Sequence, residues 1–137
     1  MPVTLRPGRP EDISAVLVLW RDADAEPTHT DDEAGLATLL ERDPDALIVV
    51  ADGDQIVGSV IVGWDGWRGS IYRLVVAPSR RREGLGRQLL RAAEDRLRHA
   101  GTRRSQAIVV ETDVQATAFW RATGWTEQVE RLRFVSG

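Results

Sequence analysis

The residues best suited to chemistry are grouped in one stretch, Leu74-Val75-Val76-Ala77-Pro78-Ser79-Arg80-Arg81-Arg82-Glu83-Gly84-Leu85-Gly86. A hydrophobic strand runs into an Arg- and Gly-rich loop and then into a helix. The first four amides of any helix lack an internal partner, and the helix dipole adds partial positive charge there. Glycines at 84 and 86 let a phosphate approach the backbone with no Cβ in the way. Arginines at 80, 81, 82 and 87 add charge-assisted donors. Together these features read as a pyrophosphate cradle. No G-K-[ST] follows, so it is not a Walker loop, and the third glycine of a dinucleotide G-x-G-x-x-G is missing.

Two segments in sequence order resemble the GCN5-related N-acetyltransferases (GNAT family). Their acetyl-CoA loop reads [QR]-x-x-G-x-[GA] after a strand ending V-x-P; here Arg81-Arg82-Glu83-Gly84-Leu85-Gly86 follows Val76-Ala77-Pro78. Their later segment reads N-x-x-A-x-x-[FL]-Y-x-x-x-G-[FY]; Asp113, Ala116, Phe119, Trp120, Gly124 and Trp125 fall at those spacings. The resemblance covers essentially the whole chain, read as a single domain over 1–137. Asp65-Gly66-Trp67-Arg68-Gly69 also looks like the D-G-x-R-G hairpin of small bacterial members.

The resemblance implies direct acetyl transfer from acetyl-CoA, a cosubstrate, to a primary amine, without a metal. Acetyl-CoA would lie between two splayed strands ending near Val76 and Val110. Its pantetheine arm would pair with backbone at Leu74, Val75 and Val76, and its pyrophosphate would sit on residues 81–87, from Arg81 to Arg87. Asp113, Phe119 and Trp120 would complete the cofactor site. Three departures bear on catalysis. Trp120 stands where the family has its tyrosine acid, and an indole N–H is no acid at neutral pH. Asp113 replaces an asparagine, so it accepts hydrogen bonds but cannot donate as an amide does. Tyr72, the only tyrosine, stands where some members carry an acidic base on the strand before the loop. A phenol of pKa about 10 suits a proton donor better than a base. Tyr72 and Glu111 are therefore the catalytic candidates. The same departures leave a second reading, a CoA-binding protein with little or no catalytic activity.

The elements that must position these residues follow from periodicity. Val3 to Arg6 is a short extended start. Ile13, Val16, Leu17 and Trp20 fall at i, i+3, i+4 and i+7, an amphipathic helix entered at Pro10. Residues 22–32 form an acidic loop. A second helix runs from about Asp31 to Arg42 and stops at Asp43-Pro44-Asp45. Ala46 to Ala51, Ile56 to Trp64 and Ser70 to Val76 read as strands joined by tight turns. A long helix runs to about Ala100, with Leu85, Leu89, Leu90, Ala93 and Leu97 inward and Gly101 as its cap. Glu83 reads as a first-turn acid facing solvent, and Arg91/Asp95 and Glu94/Arg98 as exposed pairs. Ala107 to Val110 is a further strand, Asp113 to Thr123 a helix capped by Gly124, and two final strands are expected in 125–135. The fold class is α/β: a mixed, mostly antiparallel sheet with splayed central strands, flanked by about four helices.

Composition narrows the function classes. The chain has 137 residues, 42% of them hydrophobic and 28% charged, enough for one core. Cysteine is absent, which removes disulfides, thiolate metal sites and a cysteine nucleophile. Two histidines, His29 and His99, argue against a multi-histidine metal site. The longest apolar run, Ala46 to Ala51, is too short to span a bilayer, and residues 1–10 lack an apolar stretch of signal-peptide length, so a cytoplasmic location is expected. Residues 1–65 carry 14 acids against 4 arginines, net −10; residues 66–137 carry 7 acids against 14 arginines, net +7. One half suits an anionic ligand and the other tolerates a cationic one. The resemblance places acceptor entry on the side of the fold that holds residues 22–33, so the acids Asp22, Asp24, Glu26, Asp31, Asp32 and Glu33 imply a cationic small-molecule or peptide amine as acceptor. Nucleic acid ranks low, because the basic face lacks interleaved aromatics and the chain is net acidic. A homodimer is an expectation of the resemblance alone.

Overall fold

A computed structural model describes residues 2–25 and 28–137. Their contacts divide into two compact units, one ending at Ala107 and one spanning Ile108–Gly137.

The first unit is built on five strands in the order β1-β2-β3-β4-β5. These are β1 (Thr4–Pro7), β2 (Leu47–Asp52), β3 (Gln55–Trp64), β4 (Gly69–Val76) and β5 (Ser105–Ala107). The first four pair antiparallel in succession, and β5 joins β4 in parallel. Strands β2 and β3 are almost continuously apolar because both faces of the sheet are covered. On one face Ile13, Val16, Leu19 and Trp20 of α1 (Ile13–Asp22) and Leu36 and Leu40 of α2 (Glu33–Arg42) pack on Leu47, Val49 and Ile61. On the other, α3 (Leu85–His99) buries Leu85, Leu89, Leu90, Ala93 and Leu97. Gly69 permits that approach, since a Cβ there would lie 2.6 Å from Leu97 Cδ2.

The helix boundaries follow from capping. Asp32 accepts the Gly35 N–H at 2.7 Å, so α2 starts at Glu33 rather than at Asp31. Pro10–Asp12 forms a 3₁₀ turn ahead of α1. Beyond α3, Gly101 takes a left-handed φ of 85° and its N–H bonds Arg98 O, as expected of a glycine after a helix end.

Several expectations are corrected. The fifth strand is Ser105–Ala107, not Ala107 to Val110. Its register is set where the chain arrives after Gly101: Gly69 N–H bonds Arg104 O at 3.0 Å, which aligns Ser105 with Gly69. Asp95 pairs with Arg98 at 2.7 Å rather than with Arg91. In the second unit, α4 (Val114–Arg121) ends at Ala122, and Gly124 is not left-handed. Residues 125–135 form no strand. Strand geometry needs a paired edge, and no second extended segment of that unit provides one. Val129 and Leu132 also break the two-residue alternation that would bury one face. Val129, Leu132, Phe134 and Val135 are exposed.

Arg6 ties β1 to the turn before α1, donating to Asp12 at 2.7 and 3.1 Å, and Asp12 also accepts the Arg9 N–H at 2.8 Å. The guanidinium holds the Asp12 carboxyl below its ordinary pKa, against the opposing effect of burial. A carboxylate whose folded pKa is depressed stabilises fully above its unfolded pKa and loses that contribution as pH falls through the folded value. Asp12→Asn is expected to cost about 1–2 kcal/mol at neutral pH. The gap between the two proteins should close below about pH 4. Urea titrations across pH check this, and a pH-independent gap would refute it.

Candidate active site

The site starts from an irregularity in β4. Ser59 is opposite Val75 and Ile61 is opposite Tyr72, so Arg73 and Leu74 together face Val60 alone. The extra residue makes a bulge, which takes peptide groups out of the ladder and bends the strand. Arg73 adopts φ 52°, a left-handed conformation costing a non-glycine residue on the order of 1–2 kcal/mol. Three contacts hold it there. Ser59, fully buried, donates from Oγ to Arg73 C=O at 3.0 Å and accepts from Trp20 Nε1 at 2.8 Å. The Arg73 guanidinium pairs with Asp31 and lies 5.5 Å from the Trp20 ring centroid.

Beyond the bulge, β4 has one neighbour. Its pairing with β5 covers only Gly69, Ser70 and Ile71, whereas pairing with β3 continues to Val76. Residues 72–76 thus flank a stretch of strand edge with no ladder partner on the β5 side of the first unit. Such an edge accepts an extended arm by strand-like hydrogen bonding.

The edge leads directly into the phosphate loop. A 3₁₀ turn over Pro78–Arg80 follows Ala77, whose N–H bonds Val57 O at 2.9 Å. Arg82 (φ 69°) and Gly84 (φ 80°, ψ 9°) are both left-handed, and Gly84 is the N-cap of α3. The first helical bond runs from Gln88 N–H to Gly84 O. The amides of Leu85, Gly86 and Arg87 precede it and have no carbonyl within the helix to bond. Among the described residues, Arg81, Arg82 and Arg87 are exposed and enter none of the ion pairs.

Arg80 and Glu83 differ from expectation. Arg80 donates to Asp52 at 2.7 Å and to Glu83 at 3.1 Å, and these two acids raise its pKa, Glu83 most. It is a clamp between the β2–β3 turn and the loop, not a free phosphate donor. Glu83 precedes the Gly84 cap, so it is not a first-turn acid, and Arg80 offsets its charge.

Tyr72 lies on the α1–α2 face beside the bulge, opposite Ile61, and is 49% exposed. Trp67, at the β3–β4 turn, is 69% exposed under the Arg68 guanidinium, so it belongs to no core. Asp65 shapes that turn by accepting the N–H groups of Trp67 and Arg68 at 2.7 and 2.8 Å. Of the acids in 22–33, Asp31 is paired with Arg73, Asp32 caps α2, and Glu33 accepts from Ser14 at 3.1 Å. Asp22 and Asp24 are exposed, and Glu26 lies outside the described residues.

The remaining candidates belong to the second unit. Asp113 caps α4 by accepting the Ala116 N–H at 3.0 Å. Trp120 packs edge-to-face between Phe119 and Trp125, with centroids at 5.7 and 5.1 Å. Glu111 is exposed, and its charge contributes to the raised pKa of Arg121, whose main cause is Glu127.

Sequence reasoning missed Ser59, Trp20 Nε1 and Arg73, and named Asp31 only as an acid attracting the acceptor, not as the partner of Arg73. One signal was available: Ser59 is the lone polar residue in the run from Ile56 to Val62. A polar group in a strand buried on both faces must have a fixed partner.

The sheet thus presents an unpaired β4 edge that runs into a helix capped by Gly84. The acetyltransferase (GNAT) family model matches residues 14–125, and the chain belongs to that family. It is 36% identical over 107 residues to an acetyltransferase from Pectobacterium atrosepticum, covering 78% of this chain and 76% of the relative. The solved structure of Ard1 from Thermoplasma volcanium superposes with a TM-score of 0.82 at 20% identity, over 92% of this chain and 84% of that one. A PaiA N-acetyltransferase from Thermoplasma acidophilum, solved in complex with coenzyme A, gives a TM-score of 0.76 at 13% identity, over 88% of this chain and 87% of that one. The protein is an acetyltransferase with the α/β fold of that family.

The clamp assigns different roles to neighbouring arginines. Arg80→Gln should lower the melting temperature, whereas Arg81→Gln and Arg82→Gln should leave it unchanged. Equal melting temperatures for all three variants would remove the scaffold role from Arg80.

Proposed function

We propose that this chain moves the acetyl group of acetyl-CoA directly to a primary amine. The observation that carries the reading is the continuity of the open β4 edge at 72–76 with the left-handed turn at Gly84 and the first amides of α3. An extended pantetheine arm and a pyrophosphate have that spacing of needs, a strand-like partner followed by a cluster of N–H donors. Leu74, Val75 and Val76 would hold the arm, and Arg81, Arg82 and residues 83–87 the pyrophosphate. Asp113, Phe119 and Trp120 are further candidates for contact with the cofactor.

In the reaction the neutral amine nitrogen bonds to the thioester carbonyl carbon, the C–S bond breaks, and an amide and a CoA thiolate result. The amine's proton passes to water as the amide forms, and the CoA thiolate takes one from a donor. The peptide groups freed by the bulge supply donors for the carbonyl oxygen as negative charge develops on it. Tyr72, half-exposed beside the bulge, is the proposed donor to the sulfur; Glu111, acting through water, is the second candidate for proton transfer.

We infer a small-molecule or peptide acceptor of cationic character. The net charge of −10 over residues 1–65 supports this, as do the exposed Asp22 and Asp24. Asp31, Asp32 and Glu33 do not, since each already has a partner. The Asp65–Gly69 turn further supports a place among small bacterial members of the family.

Acetyl-CoA is expected to raise the melting temperature by mass action. Gly86→Glu should abolish that rise, because it puts a side chain and a negative charge against the first-turn amides. A folded Gly86→Glu protein that still binds CoA normally would sink the loop assignment.

Proton transfer is tested with the best amine from a screened panel. Tyr72→Phe should lower kcat at least ~10-fold with KM for acetyl-CoA little changed. Trp120→Phe should keep most of kcat, since it removes an N–H that is no acid. A silent Tyr72→Phe would leave Tyr72 a packing residue and pass the role to Glu111.

A further inference from the structure

We propose that Ser59 and Asp31 are positioning residues for acetyl transfer, acting through Arg73 to fix the β4 bulge. The inference rests on the reading of the β4 edge as the thioester site, and it adds the device that aims that edge.

Neither residue is needed for the sheet itself. Ser59 lies in mid-strand in β3, where its neighbours Val57, Val60, Ile61 and Val62 are apolar and buried. An apolar residue would fill the volume there, but it would leave the buried Trp20 Nε1 and the Arg73 carbonyl without the partner that Ser59 gives them. The hydroxyl accepts from Trp20 Nε1 of α1 and donates to the carbonyl of Arg73, 14 residues away. That carbonyl belongs to the one β4 residue held at φ 52°. The side chain of the same residue is then tied from outside by Asp31, 42 residues away on the segment joining α1 to α2. Asp31 is itself oriented by the Thr28 N–H at 2.8 Å. Backbone and side chain of Arg73 are thus fixed independently, one from the core and one from the loop.

The physical consequence is directional. A non-glycine residue relaxes out of the left-handed region when nothing holds it. Relaxation at Arg73 would rotate the peptide groups on either side of it, and these are the groups that the bulge frees from the ladder. A donor rotated away from the carbonyl oxygen loses most of its catalytic effect, even though the arm and the pyrophosphate still bind. The brace therefore governs polarisation of the thioester and not affinity for CoA. Because Asp31 sits on the α1–α2 segment, that segment and the thioester site are mechanically joined.

The test uses [1-¹³C]acetyl-CoA and needs no acceptor. Isotope-edited infrared difference spectra report the carbonyl stretch of the bound thioester, which falls in frequency as hydrogen bonding to it strengthens. Ser59→Ala and Asp31→Asn should each move the band to higher frequency, Ser59→Ala more, with the Kd for CoA within about twofold of wild type. Adding Arg73→Gly to Ser59→Ala should restore the wild-type band, because glycine takes φ 52° without a brace. A purely structural role for Ser59 would lower stability in the single variant and leave the band in place. The proposal is overturned if Ser59→Ala and Asp31→Asn both bind acetyl-CoA with the wild-type band. If Ser59→Ala does not fold, Asp31→Asn decides alone, since Asp31 lies outside the sheet, on the loop before α2, and its side chain is only partly buried. Failure of the wild-type protein to bind acetyl-CoA would instead overturn the proposed function.

Discussion

One extra residue in β4 organises the rest of the molecule. With Arg73 and Leu74 both opposite Val60, the strand shifts register by one between Ser59 and Ile61. Before the shift, β4 lies between β3 and β5; after it, β4 keeps only β3. Side chains change phase with the register, so Val75 returns to the α1–α2 face and packs on the core there. The bulge would be unfavourable by itself, since its first residue is an arginine at a positive φ. It persists because two hydrogen bonds through Ser59 and an ion pair through Asp31 over-determine it, the usual condition for strain at a working site.

The charge asymmetry of the chain has a structural reading that its sum conceals. Three acids of the first 65 residues pair with arginines of the remainder: Asp31 with Arg73, Asp43 with Arg96, and Asp52 with Arg80. Asp43 receives two bonds of 2.7 Å from Arg96, which also donates to Val62 O, so α3 is bolted across β3 to the end of α2. Opposite charge in the two halves thus serves in part to join them. The pairs are partly buried, and Asp31 and Asp43 each accept two hydrogen bonds from their arginine, the arrangement in which an ion pair contributes specificity of position as well as energy. What remains unpaired at the α3 N-terminus is positive. Arg80 satisfies Glu83 and Asp52, and that leaves Arg81, Arg82 and Arg87 to add to the helix dipole.

The elements were legible because they depend on neighbours in sequence. Ile13, Val16 and Trp20 at helical spacing, the apolar strands 46–51 and 56–64, and the glycine after α3 each follow from a local pattern. The loop from Arg81 to Gly86 was legible for the same reason: a left-handed Gly84 at a helix start is a property of a few contiguous residues. Legibility failed where a pattern was local but its partner was not. Residues 125–135 have strand-forming composition and form no strand, because a strand exists only against another edge. Glu83 reads in sequence as a helix acid although Arg80 is only three residues away, because the charge pattern does not carry the left-handed turn at Arg82 and Gly84 that delays the helix start.

Sequence alone therefore determined the four helices and the first four strands, which of their faces are apolar, and that a glycine-bearing loop and a helix would follow β4. Those are consequences of backbone preference and of burial periodicity, and both are written within a few residues. Tertiary structure alone decided the register of β4 and the choice of Asp31, Asp43 and Asp52 as partners, across separations of 42, 53 and 28 residues. It also turned Ser59 from a lone polar residue into a brace. Each of these depends on where a distant strand or loop arrives once the core has closed, and no local pattern carries that information.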